Sequence, residues 1–85
     1  MVEAVWQKGI PVPHSDPRLY RRDECGALMH RHLHGNTGSP FGWEVDHVWP
    51  VAKGGSDDLS NLQPLQWQNN RHKSDHWPWA CAVTG

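Results

Sequence analysis

Six tryptophan residues most constrain what this chain can fold into. The chain has 85 residues, of which 36% are hydrophobic, which is enough for one small domain and not two. So short a chain buries a modest fraction of its surface and often needs a metal, a disulfide or a partner to stay folded. Because each indole ring buries a large area, a few of them can anchor a small core. The six are Trp6, Trp43, Trp49, Trp67, Trp77 and Trp79.

The charge balance limits how the chain can meet nucleic acid. Its formal net charge is -1 with neutral histidines, whereas a protein that coats nucleic acid by bulk charge is strongly basic. Phosphate binding would therefore need a local patch or a bound cation. No apolar run reaches membrane-spanning length and no signal-peptide core opens the chain, so we expect no membrane partner and a cytoplasmic location.

Two cysteines, Cys25 and Cys81, leave three possibilities open. No CxxC pair exists, so the usual four-thiolate zinc clip is absent. The two thiols could form a disulfide, could share a metal with nearby histidines, or could be unrelated free thiols, and the last is the default expectation.

The first third of the chain predicts an arm and a hairpin. Three prolines among residues 1–17 exclude a long helix there, and we expect an irregular, extended arm whose Val5 and Trp6 can dock as an apolar anchor. In residues 18–34, two short runs flank Asp23-Glu24-Cys25-Gly26, which has the chemistry of a type I turn. This pattern favours a β-hairpin, with a short helix over residues 24–33 as the alternative.

The next segment predicts a strand, a loop, a second strand and a helix. Residues 44–49 alternate between polar and apolar and lie between Gly42 and Pro50, which is typical of a strand. Residues 52–58 form a loop whose two glycines permit positive φ. Residues 62–65 form a second strand, which its proline confines to an edge or a strand end. Residues 66–75 contain no helix breaker and predict a mostly polar helix with Trp67 as its one large apolar anchor.

Three side chains in this segment carry the chemistry of a metal-dependent hydrolase. The Asp46 carboxylate and the Asn70 amide oxygen suit a hard divalent ion such as Mg²⁺ or Mn²⁺. An imidazole is the side chain best suited to take a proton from water near neutral pH, which makes His47 the candidate base. Taken alone, Asp46 and His47 are more simply explained as a structural hydrogen-bonded pair within a strand.

The order and spacing of several further residues indicate a family. The run Trp43-Glu44-Val45-Asp46-His47-Val48-Trp49-Pro50, then Gly54-Gly55, Asn61-Leu62-Gln63-Pro64-Leu65 and Asn69-Asn70-Arg71-His72-Lys73, resembles the motif of the HNH endonucleases. The resemblance spans about residues 42–75. It implies an α+β fold built on a ββα-metal element, with the residue 18–34 hairpin as an N-terminal extension and residues 76–85 as a tryptophan-rich tail. The whole chain, 1–85, would be a single HNH nuclease domain.

The resemblance also implies roles for individual residues. His47 matches the general base that activates water, and Asp46 and Asn70 match the two protein ligands of the metal. Asn61 matches the middle asparagine, which holds the loop between the strands and orients the base. Arg71 and Lys73 lie where the family contacts backbone phosphate.

Arginines before the motif extend the possible phosphate contacts. Residues 18–34 carry a net charge of about +2 from their arginines and acids. Arg21 and Arg22 are the members that we assign to a nucleic-acid-binding patch, and a solvated surface is the alternative.

The implied activity is hydrolysis of DNA phosphodiester bonds with one divalent cation. Mg²⁺ or Mn²⁺ is expected first, with Ni²⁺ or Zn²⁺ possible, and RNA is not excluded as a substrate. Many HNH domains also carry two CxxC pairs that bind a structural zinc. Gln66 and Asn69 stand where one of those pairs belongs, so we expect no structural zinc and a tryptophan cluster in its place.

Several alternatives stay open. The same chemistry could belong to a nuclease toxin domain with an immunity partner, and the same scaffold could be a non-catalytic nucleic-acid-binding module. A homodimer or a specificity partner is possible. The alternation of His30, His32 and His34 could bind zinc or nickel, although a solvated face is the simpler interpretation. His72 and His76 have the i, i+4 spacing of metal ligands on a helix.

Overall fold

A one-turn helix opens the chain. The computed structural model describes residues Met1–Gly85, and helix α1 spans Val2–Trp6, ahead of the prolines that would break it. Val5 and Trp6 are fully buried, so the predicted apolar anchor is confirmed. The expectation of an irregular, extended arm is wrong for these five residues, because docking of the two side chains stabilises a turn too short to persist alone.

A three-stranded antiparallel sheet follows. Its strands are β1 (Ile10–Pro11), β2 (Tyr20–Arg22) and β3 (Leu28–His30), in the order β1-β2-β3. Strands β2 and β3 form the expected hairpin, and the alternative helix over residues 24–33 is not formed.

The turn residues explain why this segment forms a hairpin. The Asp23 N–H donates to the Ala27 carbonyl and the Gly26 N–H donates to the Asp23 carbonyl, both at 2.9 Å. Asp23 Oδ1 also accepts the N–H groups of Cys25 and Ala27, each at 2.9 Å. Gly26 has a φ of +86°, which glycine adopts without steric cost. The side chain of Asp23 therefore stabilises the turn, and a helix over the same residues would have to break these hydrogen bonds.

The second half of the chain forms the ββα element. Strands β4 (Trp43–His47) and β5 (Leu62–Gln66) pair antiparallel, with Asp46 opposite Gln63, and helix α2 (Trp67–Lys73) follows β5 directly. The α+β fold implied by the sequence is confirmed. With only two strands both are edges, so Pro64 can stand in the middle of β5 without removing a needed ladder bond.

The buried face of α2 is polar. Gln66 caps the helix, because its side-chain oxygen accepts the N–H groups of Gln68 at 2.8 Å and Asn69 at 3.1 Å. The residues that α2 buries are Asn69 and Lys73. Trp67, expected to be the anchor, is only half-buried.

The apolar core lies where α1, the hairpin and the ββα element meet. Trp6 and Trp43 pack with ring centroids 5.1 Å apart, and both are fully buried. Their indole N–H groups donate to the carbonyls of Pro17 at 3.0 Å and Arg31 at 3.3 Å, so neither ring leaves a buried donor unpaired. The cluster consists of Val5, Trp6, Met29, Trp43 and Leu62.

A polar cluster is built around Gln66 and Asn69, the two positions where the resemblance would place a CxxC pair. Asp23 Oδ2 accepts the Gln66 N–H and the Asn69 Nδ2 group, both at 3.0 Å. Asn69 Oδ1 in turn accepts the N–H groups of Ala82 at 2.9 Å and Val83 at 2.8 Å. Hydrogen bonds thus join the hairpin, the start of α2 and the tail at this point.

The tail is also tied covalently. Cys25 and Cys81 form a disulfide that joins the hairpin turn to the tail across 56 residues of sequence. The default expectation of free thiols and the alternative of a shared metal are therefore wrong. Trp77 packs edge-to-face on Trp49 and not into the core. No helix in the structure has the length and apolarity needed to cross a lipid bilayer.

The polar cluster should contribute measurably to stability. We expect Asn69→Leu to lower the free energy of unfolding by about 2–4 kcal/mol, because it removes acceptors and donors that buried partners need. Urea unfolding followed by tryptophan fluorescence measures this. His72→Leu, an exposed position on the same helix, should change the value by less than about 0.5 kcal/mol. Equal effects of the two substitutions would contradict the assignment.

Candidate active site

One surface depression brings three of the implied site residues together. It lies between the end of β4 and helix α2 and is lined by Asp46, His47 and Asn70, together with Ser74 and Asp75 at the end of the helix. The strand supplies the Asp-His pair and the helix supplies the asparagine. The depression is open to solvent.

Asp46 is the most buried member of the site. Its side chain is 5% exposed. Oδ1 accepts a hydrogen bond from Lys73 Nζ at 3.1 Å, and Oδ2 accepts one from Gln63 Nε2 at 2.9 Å. These two donors fix the orientation of the carboxylate from opposite elements, the helix and the neighbouring strand.

His47 is more accessible and has an acidic partner in the loop. Its side chain is 32% exposed, and Nε2 lies 2.8 Å from Oδ1 of Asp57. In the tautomer that donates from Nε2, the Nδ1 atom carries the lone pair that can accept a proton. Asp57 was not among the residues singled out from the sequence, because its contact depends on how the loop folds back over ten residues.

Asn70 is oriented by Glu44. Its Nδ2 group donates to Glu44 Oε1 at 3.0 Å, and no hydrogen bond in the structure is made to its Oδ1 atom. Hydrogen bonding from Arg71 lowers the pKa of Glu44 below its usual value; burial opposes this shift and the bond from Asn70 adds to it. Glu44 is therefore a charged acceptor at neutral pH, which sets the amide so that its oxygen is the end left for a ligand.

Asn61 holds the neck of the loop between β4 and β5. Its Oδ1 atom accepts the Trp49 N–H at 2.9 Å, and its Nδ2 group donates to the carbonyls of Trp49 at 3.1 Å and Ser56 at 2.8 Å. The Val48 N–H donates to the Asn61 carbonyl at 2.8 Å. No hydrogen bond joins Asn61 to His47, so any influence on the base passes through the backbone of residues 48 and 49.

The double glycine of this loop has a steric reason. Gly54 has a φ of +95°. A Cβ atom on Gly55 would overlap the carbonyl group of Trp49. The loop conformation that Asn61 holds therefore excludes a side chain at Gly55.

Two of the four residues implied for phosphate binding are buried in structural roles. Lys73 is 1% exposed and is engaged by Asp46, so it does not offer its charge to a surface phosphate. Arg21 is 8% exposed and donates to the carbonyls of Pro17 and Gly9 at 3.0 and 2.9 Å. The expectation of phosphate contacts from these two residues is corrected on this ground.

The other two differ in accessibility. Arg22 is half-buried and donates to the Gly26 carbonyl at 2.8 Å. The side chain of Arg71 is 63% exposed and pairs with Glu44 at 3.1 Å. Arg71 binds the same Glu44 carboxylate as Asn70 and is the most accessible of the four, but it does not line the depression.

The histidines outside the motif do not assemble a metal site. The rings of His30 and His32 lie 5.5 Å apart between centroids, and the His34 ring packs on Trp43. His72 and His76 are exposed and do not line the depression. No group of three or more histidine, cysteine, aspartate or glutamate residues is arranged to hold a metal.

The oxygen atoms in the depression fit a hard divalent cation. Mg²⁺ typically keeps several waters and binds through one or two carboxylates plus substrate phosphates. Asn70 Oδ1 accepts no hydrogen bond, and each Asp46 oxygen retains a second lone pair. Asp46 and Asn70 would hold such an ion, with water and phosphate filling the remaining positions.

The family follows from a comparison that covers the whole motif together with the turn and second strand of the hairpin. A family model described as HNH endonuclease matches residues 23–76, more than half of the chain. The chain belongs to the HNH endonuclease family. Comparison with curated proteins and comparison with solved structures each gave no significant match. Membership indicates nuclease activity in general, with nucleic acid as the partner.

Loss of the Asn61 side chain should loosen the loop neck. We expect Asn61→Ala to lower stability by about 1–2 kcal/mol and to speed amide hydrogen exchange at Trp49 by about 5- to 10-fold, because that N–H loses its acceptor. Ser60→Ala, at an exposed neighbouring position, is the matched control. Unchanged exchange at Trp49 in Asn61→Ala would exclude the proposed role of this side chain.

Proposed function

We propose that the protein is a metal-dependent endonuclease that hydrolyses phosphodiester bonds in DNA. The observation that carries the proposal is the convergence of Asp46, His47 and Asn70 on one open depression. An imidazole can serve as the general base of such a hydrolysis, and a carboxylate and an amide oxygen can serve as ligands of the metal.

His47 acts as the general base in this proposal. Its Nδ1 atom takes a proton from water while Asp57 accepts the hydrogen bond from Nε2 and offsets the charge that the ring acquires. The water oxygen attacks phosphorus in line with the 3′-oxygen of the neighbouring nucleotide. The P–O3′ bond breaks and the leaving 3′-oxygen takes a proton from solvent water, which leaves a 5′-phosphate and a 3′-hydroxyl.

Asp46 and Asn70 would hold the divalent cation. When bound, it would supply charge stabilisation for the phosphoryl oxygens and the leaving oxygen. Both protein donors are oxygens, which favours Mg²⁺ or Mn²⁺ over Zn²⁺ or Ni²⁺, since the latter two prefer sites richer in nitrogen or sulfur.

DNA is the proposed substrate, held by few contacts. Arg71 lies beside Asn70 with its side chain largely exposed, and the net charge of the chain is -1. Binding should therefore depend on a local contact and on the cation, and should be weak with a shallow dependence on salt. Four further points stay predictions: a homodimer, a specificity partner, an immunity partner and a cytoplasmic location.

Plasmid nicking tests the proposal. We expect the purified protein to relax supercoiled plasmid with Mg²⁺ or Mn²⁺ and to be inactive in EDTA. His47→Ala should reduce the rate by about two to four orders of magnitude, and Asp46→Ala and Asn70→Ala should remove the response to added cation. Single-stranded RNA in a parallel reaction determines whether the substrate class is DNA alone.

The matched control is His72→Ala, an exposed histidine on the same helix that does not line the depression. It should cleave at the wild-type rate. Cleavage by His47→Ala at the wild-type rate would remove the base assignment. Tight DNA binding without cleavage under any cation would instead favour a non-catalytic binding module.

A further inference from the structure

Lys73 is a buried cation that the proposed chemistry does not use. Its side chain is 1% exposed, and it lies in the last turn of α2. Lysine is almost never fully buried unless it is paired. Its buried partner is Asp46, at 3.1 Å between Nζ and Oδ1.

The same ammonium group also fixes the backbone of the strand. Lys73 Nζ donates to the carbonyl oxygen of His47 at 2.8 Å. Lys73 therefore binds two consecutive residues of β4: the carboxylate of Asp46, the proposed metal ligand, and the backbone carbonyl of His47, the proposed general base. Gln63 holds the other Asp46 oxygen at 2.9 Å, so Lys73 supplies the only positive charge hydrogen-bonded to that carboxylate.

We propose that Lys73 is the built-in counter-ion of Asp46, a positioning residue that aims the carboxylate toward the cation site and holds the end of β4 through the His47 carbonyl. The proposal rests on the proposed function of Asp46 as a metal ligand. It replaces the phosphate contact that the motif position suggests, since the buried ammonium group cannot reach substrate while it holds Asp46.

The pairing has a consequence for metal binding. Removal of one partner of a buried ion pair leaves an uncompensated charge and is strongly destabilising. In a protein without Lys73, a divalent cation is the remaining positive charge that can meet Asp46. Because a ligand that binds only the folded state stabilises it, metal should then stabilise the variant more than the wild-type protein.

Thermal unfolding of Lys73→Met with and without MnCl₂ tests this, with Lys53→Met as the control. Lys53 is an exposed lysine of the loop and lies outside the proposed machinery. Without metal we expect the melting temperature of Lys73→Met to fall by about 10 °C or more and that of Lys53→Met to stay at the wild-type value. Mn²⁺ should raise the melting temperature of Lys73→Met by more than that of the wild type. An unchanged melting temperature, or equal shifts with Mn²⁺, would overturn the proposal.

A second variant covers the case in which Lys73→Met does not fold. If the loss comes from the unpaired carboxylate, Lys73→Met with Asp46→Asn should recover stability relative to Lys73→Met alone. If the loss comes only from packing, the double variant is no more stable than the single one, and the proposal fails.

Cleavage kinetics separate positioning from phosphate contact. A positioning role predicts that Lys73→Met, at saturating Mn²⁺, loses about a hundredfold in kcat with little change in KM for plasmid. A lost phosphate contact would instead raise KM and reduce the salt dependence of binding, and this result would refute the proposal. If the wild-type protein cleaves nothing, the proposed function fails, whereas the unfolding measurements still decide the role of Lys73.

Discussion

The Asp23 carboxylate is the contact on which the arrangement of the molecule depends. Its two oxygens accept hydrogen bonds from Cys25, Ala27, Gln66 and Asn69. The first two partners close the hairpin turn, and the other two belong to the junction of β5 and α2. A buried carboxylate is tolerated only when its oxygens are satisfied, so the hairpin and the helix must come together for either to be stable. This contact fixes the start of α2, and it thereby determines the position of Asn70, the residue after Asn69.

The two buried aspartates, Asp23 and Asp46, thus have different roles. Asp23 is surrounded by N–H donors and has no cation beside it among its hydrogen-bond partners, which suits a purely architectural group. Asp46 has a cation on one oxygen and an amide on the other and lies at the edge of an open depression. The helix therefore holds the Asp46 carboxylate on its buried side, and the other side of the site is accessible to solvent.

Local pattern accounts for much of what the sequence could predict. Alternation between Gly42 and Pro50 located β4, and the turn chemistry of Asp23 to Gly26 located the hairpin, because both depend on neighbours in sequence. The meeting of Asp46, His47 and Asn70 could be anticipated from the motif. Four features could not be anticipated, since each depends on residues brought together only by folding. They are helix α1, the Cys25–Cys81 bond, the partner of Lys73 and the role of Asp57. A lysine three positions after the asparagine has the same local appearance whether it faces solvent or a carboxylate.

The loop between β4 and β5 is fixed by hydrogen bonds at its two ends and has open space around Gly54 near its middle. Asn61 and the backbone of Val48 and Trp49 fix the neck by hydrogen bonds, whereas Gly54 at the tip faces open space. Lengthening a surface loop costs little conformational entropy once its ends are fixed. Extra residues inserted at Gly54 should therefore leave both strands in register, so this is the position at which the loop can be lengthened without disturbing the site.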